Sequence, residues 1–304
     1  MQKFKTLLLR EWMQHQRGWL VLLALPLLLV VGFGLFGQLH FDMEDGQPDL
    51  PLPMGAWAAA TLGTAGLTLL LAWAASLIQA PGLARRDMQD RSIEFWLSLP
   101  VSHSQSLGAT LLMHLVLWPC LALLVGVAGG LLASLLIVSK LFGIGAWFSL
   151  PWGALVPALA MLVLRLMLGM VLATLWLSPL ILGTMAASAW LKRWGLPVVV
   201  GGIVGGGLVL EKVYGNPIVW QTLQLLGERA SQALMVADRS GGGPKGLVIH
   251  SDSDLEGVLG IVPGWLLHDA GSALAQLASP AFLAAVAVAV LAFGALWLRR
   301  QRGA

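Results

Sequence analysis

Charge is what this chain of 304 residues has least of: Asp, Glu, Lys and Arg make up 11% of it, against about 25% in soluble domains. An ordinary soluble enzyme is excluded on that ground. There is one cysteine, Cys120, so neither an internal disulfide nor a thiolate metal cluster is available, and its apolar surroundings mark it as a packing residue. No Gly-x-x-x-x-Gly-Lys-Ser/Thr phosphate loop occurs, and Gly241-Gly242-Gly243-Pro244-Lys245 has the wrong spacing for one. His-Glu-x-x-His, a nucleophile elbow and paired intramembrane carboxylates are missing too. The chain reads as a non-enzyme without a cofactor of its own. No basic stripe is interleaved with exposed aromatics, so nucleic acid is not an expected partner.

What is present is apolar length. Hydrophobic residues make up 58% of the chain, and the mean hydropathy is +0.81. Runs of about 20 or more apolar residues each suffice to cross a ~30 Å hydrocarbon core as a helix. A transmembrane barrel would need strands that alternate apolar and polar, whereas Leu107 to Val138 is apolar on every face. The expected fold is an all-α polytopic membrane protein with six crossings, near residues 19–38, 55–79, 107–137, 155–190, 196–213 and 278–298. The fourth is longer than a bilayer requires and is expected to tilt, protrude or kink at Pro179.

An even number of crossings puts both termini on one side, and the basic residues indicate which. Lys3, Lys5, Arg10, Arg17, Arg85, Arg86, Arg91, Lys192, Arg193, Arg299, Arg300 and Arg302 share one side with four acids, Glu11, Asp87, Asp90 and Glu94. The other side carries six basic and eleven acidic residues. The positive-inside rule makes the first side cytoplasmic and predicts a multi-pass protein of a bacterial inner membrane. The basic N-terminus ahead of an apolar run imitates a secretory signal, but no small-residue cleavage site follows cleanly, so the first run reads as a retained helix.

The non-spanning segments divide the chain further. Residues 1–18 place Phe4, Leu8 and Trp12 at i, i+4 and i+8, with charges on other faces, which predicts an interfacial amphipathic helix that contacts lipid headgroups and turns into the first span at Gly18. Residues 19–80 hold the first two spans and an acidic outer loop, 40–53. Residues 81–106 form a charged cytoplasmic segment, residues 107–213 the next three spans, and residues 278–304 the last span with its basic tail. Residues 214–277 make an extracytoplasmic insert expected to be helical: Asn216-Pro217 reads as an N-cap followed by proline, and Ser253 with Glu256 has capping-box spacing. Its second part, Leu255 to Leu277, is apolar enough to re-enter the membrane, while Pro263, His268 and Asp269 argue against a full crossing.

The segment 81–106 reads APGLARRDMQDRSIEFWLSLPVSHSQ. On a helix, Ile93, Trp96 and Leu97 form one stripe beside Asp87, Asp90, Arg91 and Glu94, and Pro100 stops it. Such a helix needs a surface that buries its apolar stripe, and its mixed charge suits a protein cleft better than an anionic membrane. In order and context this resembles the permease subunits of ABC-2 type transporters, where an interfacial N-terminal helix precedes six spans and a charged helix after the second span docks into the ATPase subunit. Leu97-Ser98-Leu99-Pro100-Val101-Ser102 looks like the turn that closes that helix. The resemblance implies a coupling helix that uses Arg86, Asp87, Asp90, Arg91, Glu94, Phe95, Trp96, Leu99 and Pro100. It also implies a separate cytoplasmic ABC ATPase that supplies ATP and Mg, an exporter's direction, and a homodimer of this chain or a heterodimer with a similar permease. In place of the Gly-Thr or Gly-Ser step common in that helix, this chain has Arg91-Ser92.

Other candidates are weighed against plainer roles. Arg165, inside a long apolar run, either lines a pathway or snorkels toward the outer headgroups. His114 reads as a hydrogen-bonded packing residue. His250, Asp252, Asp254, Glu256 and His268 could ligate a metal, but caps and solvated loops explain the acids without one, and no metal site is expected. Gly201, Gly202, Gly205, Gly206 and Gly207 supply small-xxx-small spacings expected to serve helix packing within the subunit. Trp57, Trp147, Trp152, Trp190 and Trp194 fall near span ends, where interfacial belts hold indoles. All acids fall in expected loops or helix ends, which weakens an ion-coupled carrier. A membrane scaffold or sensor that recruits a soluble partner is the rival from another class.

Overall fold

A computed structural model describes residues 2–37, 52–89, 102–234 and 252–302, and among these there is no strand. Ten α-helices run in the order α1 (Gln2–Phe36), α2 (Leu52–Gln89), α3 (His103–Leu112), α4 (Trp118–Phe142), α5 (Ile144–Phe148), α6 (Trp152–Leu191), α7 (Gly195–Tyr214), α8 (Ile218–Leu234), α9 (Asp252–Ala275) and α10 (Pro280–Arg302). A π-helical turn, Met113–Leu117, joins α3 to α4 without interrupting the rod. Six stretches are long and apolar enough to cross a membrane: Phe4–Phe36, Leu52–Ala84, His103–Phe142, Trp152–Tyr214, Glu256–Ala278 and Pro280–Arg302. Their outward surface is aliphatic: Leu28, Ile78 and Leu291 are 69%, 79% and 74% exposed. Water would tolerate so continuous an apolar surface poorly; the helices are compatible with a multi-pass membrane protein.

These six are not the six read from the sequence. Trp152–Tyr214 contains two of the expected spans, because α6 and α7 are joined by a short 3-10 turn, Lys192–Trp194. The chain reverses there: Lys192 has φ 54°, and Gly195 lies so close to Ser188 that an added Cβ would stand 2.4 Å from its backbone. Glu256–Ala278, read as a partial dip, has the length of a span. It lies along α6. Leu259 joins the cluster of Trp57, Val138 and Leu155, Asp269 meets Arg165, and Ala273 packs with Leu172 and Trp176. The next helix then continues down the same rod, with Phe282 against Trp176, the Ala295 carbonyl accepting from Trp190, and Arg299 donating to the Ala189 carbonyl. Helices α9 and α10 thus line successive lengths of the 40-residue α6 in one direction. Helix α6 stays helical through Pro157 and Pro179.

At the centre α2 and α6 lie side by side. Trp73 on α2 donates to Thr174 on α6 at 3.2 Å, and Ala80 and Ala84 share a cluster with Met185, Ala186 and Ala189. On the far flank of α2, α4 approaches backbone to backbone. A Cβ at Gly130 would lie 2.7 Å from the Thr61 carbonyl oxygen, and one at Gly126 3.0 Å from the Ala65 Cα. Buried Thr61, Thr64 and Thr68 complete this seam, and each hydroxyl donates to a helix carbonyl. Helix association in lipid depends on such van der Waals approach, because burying apolar surface gains nothing there.

Gly126 and Gly130 are thus the glycines that bring α2 and α4 together, and the expectation for α7 is corrected. A Cβ at Gly201, Gly202, Gly205 or Gly206 would meet nothing within 4 Å, and Gly207 alone of the five touches a neighbour, Trp220. The glycine face of helix α7 is open. Replacing Gly130 with valine is expected to destabilise the protein by about 1–3 kcal/mol, because backbone blocks the new side chain. Gly201→Ala should stay within about 0.5 kcal/mol. Thermal unfolding of the two variants in detergent checks the contrast.

The N-terminal helix also departs from expectation. Residues 2–36 form one helix, and the backbone remains helical through Gly18 where a turn was expected. Phe4 of the anticipated apolar stripe is 37% exposed, whereas Leu7, Arg10, Glu11 and Trp19 are buried. One cap matches the sequence reading, while the helix that was to be capped by Ser253 starts already at Asp252. Asn216 Oδ1 accepts from the Ile218 amide at 3.1 Å at the start of α8, and the expected helical insert is built of α8 and α9.

Candidate functional site

One end of the bundle gathers the start of α1, the end of α2, the start of α3, the end of α6, the start of α7 and the end of α10. Most of the described basic residues are here, which makes it the basic end. Arg300 donates to Ser106 Oγ at 3.3 Å, tying α10 to α3. Trp190 stands under the guanidinium groups of Arg299 and Arg302, each 5.7 Å from the ring centre. Trp190 and Trp194 are exposed here. At the opposite end Trp57, Trp147 and Trp152 pack on one another instead. The span-end positions hold for both groups.

Of the expected coupling residues, Arg86 and Asp87 lie on the backbone of α2, which continues as helix to Gln89. Asp90, Arg91, Glu94, Phe95, Trp96, Leu99 and Pro100 lie outside the described residues. The chain resumes at Ser102, which is extended (φ −70°, ψ 148°) and whose hydroxyl accepts from the Gln105 amide at 3.3 Å. The serine read as closing a turn is thus the N-cap of α3, satisfying one of the four amides a helix start leaves open. Both ends of the charged segment are therefore anchored at the basic end.

Beside that anchor lies a buried polar ladder. On α1, Glu11, His15 and Trp19 follow at i, i+4 and i+8; facing them, Thr110, His114 and Trp118 do the same across the π-helical turn. The rungs pair in order. Thr110 donates to Glu11 Oε1 at 3.1 Å, His114 Nε2 lies 3.3 Å from Glu11 Oε2, and Trp19 stacks on Trp118 with ring centres 4.5 Å apart. The His15 and His114 rings meet edge to face at 4.5 Å. Arg10 pairs with Glu11 through Oε1. Glu11 is 0% exposed, and a carboxylate so enclosed is tolerable only when paired and hydrogen-bonded. His114 was expected to be a packing residue; it is buried and bonded as such, but its partner is an acid. Glu11 inside α1 and Asp269 inside α9 overturn the expectation that all acids lie in loops or at helix ends.

Sequence reasoning missed Glu11, His15 and Thr110 because Phe4, Leu8 and Trp12 carry the larger apolar moment. A signal was nonetheless present: two helices repeat polar, His, Trp at four-residue spacing, so each triplet occupies one face.

The second buried charge pair lies on α6, about 20 Å from its start and about 39 Å from its end at 1.5 Å per residue. Arg165 is 1% exposed and Asp269 4%. Arg165 Nε donates to Asp269 Oδ2 at 2.7 Å, and Nη1 to the Ala233 carbonyl at 2.9 Å. One side chain thus ties α6 to both α8 and α9. Gly169 makes room for this, since a Cβ there would lie 2.4 Å from the Ala233 oxygen. Snorkelling is overturned: the guanidinium turns inward to a carboxylate on the neighbouring helix. Among the described residues the grouping of metal-ligating type is Glu11, His15 and His114. His250 lies outside the described residues.

No protein-family model matches the sequence, no curated protein is detectably similar to it, and no solved structure matches the fold.

Proposed function

We propose that this chain is the membrane subunit of an ABC-2 type transporter, an exporter of a bacterial inner membrane driven by a separate cytoplasmic ATPase. The observation that carries the reading is the bracketing of the charged segment. Helix α2 runs on as helix past its apolar length to Gln89, α3 starts at a capped Ser102, and both belong to the basic end. By the positive-inside rule that end faces the cytoplasm, with both termini beside it. A mixed-charge stretch held between two helices that pass directly into the bundle suits a seat through which a soluble motor displaces α2 and α3. The ATPase and its Mg-ATP come from the partner; this chain supplies the seat and the pathway. Two copies, related by the two-fold symmetry commonest among oligomers, provide the interface along which cargo moves.

Arg165 takes a different part from the pathway role. Its carboxylate and carbonyl partners make it a fastening between α6 and the two helices that cover it.

Co-purification tests the reading. Full-length chain extracted in mild detergent from its native cells should bring down a protein bearing a phosphate-loop motif in stoichiometric amount. Deletion of residues 90–101 should abolish that association while leaving the chain in the membrane. Recovery of an unrelated soluble partner in the ATPase's place would favour a scaffold or sensor.

A further inference from the structure

We propose that Glu11, His15 and His114 form a binding site for a divalent transition-metal cation that clasps the N-terminal helix to the turn between α3 and α4. One ligand atom from each residue lies within 4.8 Å of the other two. Two imidazoles and a carboxylate are the donor set that first-row divalent ions such as zinc prefer over magnesium or calcium.

The hydrogen bonds orient the donors. His15 Nδ1 lies 3.1 Å from the Glu11 carbonyl oxygen. A carbonyl can only accept, so Nδ1 donates, and a metal would bind the neutral ring through Nε2. This is the arrangement in which metal-binding histidines are held by a backbone carbonyl. Arg10 and Thr110 both engage Oε1 of Glu11, which fixes the carboxylate with Oε2 toward His114. His114 Nε2 stands 3.3 Å from that Oε2, long for a bond to a carboxylate, which closes to about 2.7–2.9 Å. It equals the ~3.3 Å between two donors on a tetrahedral zinc with bonds near 2.0–2.1 Å. With a metal on Nε2 the ring proton of His114 sits on Nδ1.

The backbone supports the same assignment. His114 lies in a π-helical turn, Met113–Leu117, and such turns occur inside α-helices mostly at functional positions. His114 is 1% exposed and Glu11 0%, whereas His15 is half-buried, so the third donor closes the site from its open side and provides a route of entry. The inference does not depend on the transport reading, since it concerns the joint between α1 and the bundle.

The test uses the full chain purified in detergent, its affinity tag removed, stripped with chelator and reloaded with zinc chloride. Metal retained after gel filtration is counted by mass spectrometry, and affinity is read by competition with a chromogenic chelator. One zinc per chain is expected. Thr110→Val, which removes an outer hydrogen bond, should weaken it about 10–100-fold, and His15→Ala or His114→Ala by more, while His268→Ala leaves it unchanged. His15→Ala alters a half-exposed position, so its helix content and melting without zinc should match the parent. Absence of stoichiometric zinc in the parent, or retention undiminished in both histidine variants, would overturn the site. Cobalt(II) loaded into the parent should show the visible bands of a four-coordinate ion; bands of the hexa-aquo ion alone would count against it even if every variant misfolded.

Discussion

Replacing Arg165 with alanine should cost the folded protein about 3–5 kcal/mol, the penalty for leaving one member of a buried ion pair without its partner. Asp269, 4% exposed, would keep its carboxylate enclosed with no cation against it. The Ala233 carbonyl would lose its donor as well. Asp269→Asn removes the charge and keeps the shape, so it should cost less than Arg165→Ala. The double replacement Arg165→Met with Asp269→Leu removes both charges together and should recover much of the loss, because well-packed apolar pairs often equal or exceed buried ion pairs. Thermal unfolding of the parent, Arg165→Met, Asp269→Leu and the double variant forms a mutant cycle, and a strongly non-additive result is the expected signature. Additive losses would mean that the two side chains do not act as a pair.

Reversing charge at Asp90 and Glu94 should separate ATP hydrolysis from transport. If this segment seats an ATPase, Asp90→Arg with Glu94→Arg should lower cargo movement about 5–150-fold, the span of ordinary coupling energies, while hydrolysis by the partner continues. Reconstitution of the complex in vesicles, with both rates measured, makes the comparison. Transport and hydrolysis both at parental levels would remove these residues from the coupling role. Arg229→Glu, at the other end of the chain's charge distribution, should leave both rates unchanged.

The helical, membrane-like character was legible because it follows from length and composition: an apolar run cannot leave its backbone unpaired in lipid, so it is a helix. The cap at Asn216 was legible for a similar reason, since a side-chain oxygen before a helix start answers a local need, whereas Ser102 was read as closing a turn. Which glycines bring helices together was not. Gly201 to Gly207 and Gly126 with Gly130 have the same spacing, and what separates them is the partner: threonines and alanines of α2 lie opposite Gly126 and Gly130, and empty space lies opposite most of the others. That distinction is a property of tertiary neighbours, absent from any window of sequence. The pairing of Arg165 with Asp269 spans 104 positions, and that of Glu11 with His114 spans 103. Arg165 was visible as a costly group in search of a partner, but nothing local named Asp269, and Glu11 was not visible as one.

The succession of α9 and α10 along α6 makes a splinted mast. The mast itself is one unbroken piece, while the splint is jointed at Gln276–Ser279, beside Leu172 and Trp176. Below that joint the splint is lashed by Arg299 to the Ala189 carbonyl and by Trp190 to the Ala295 carbonyl; above it, Arg165 and Asp269 act as a hasp. With the hasp shut the upper splint has to follow the mast. With it undone the same joint becomes a hinge, and the segment above could swing clear without disturbing the part below.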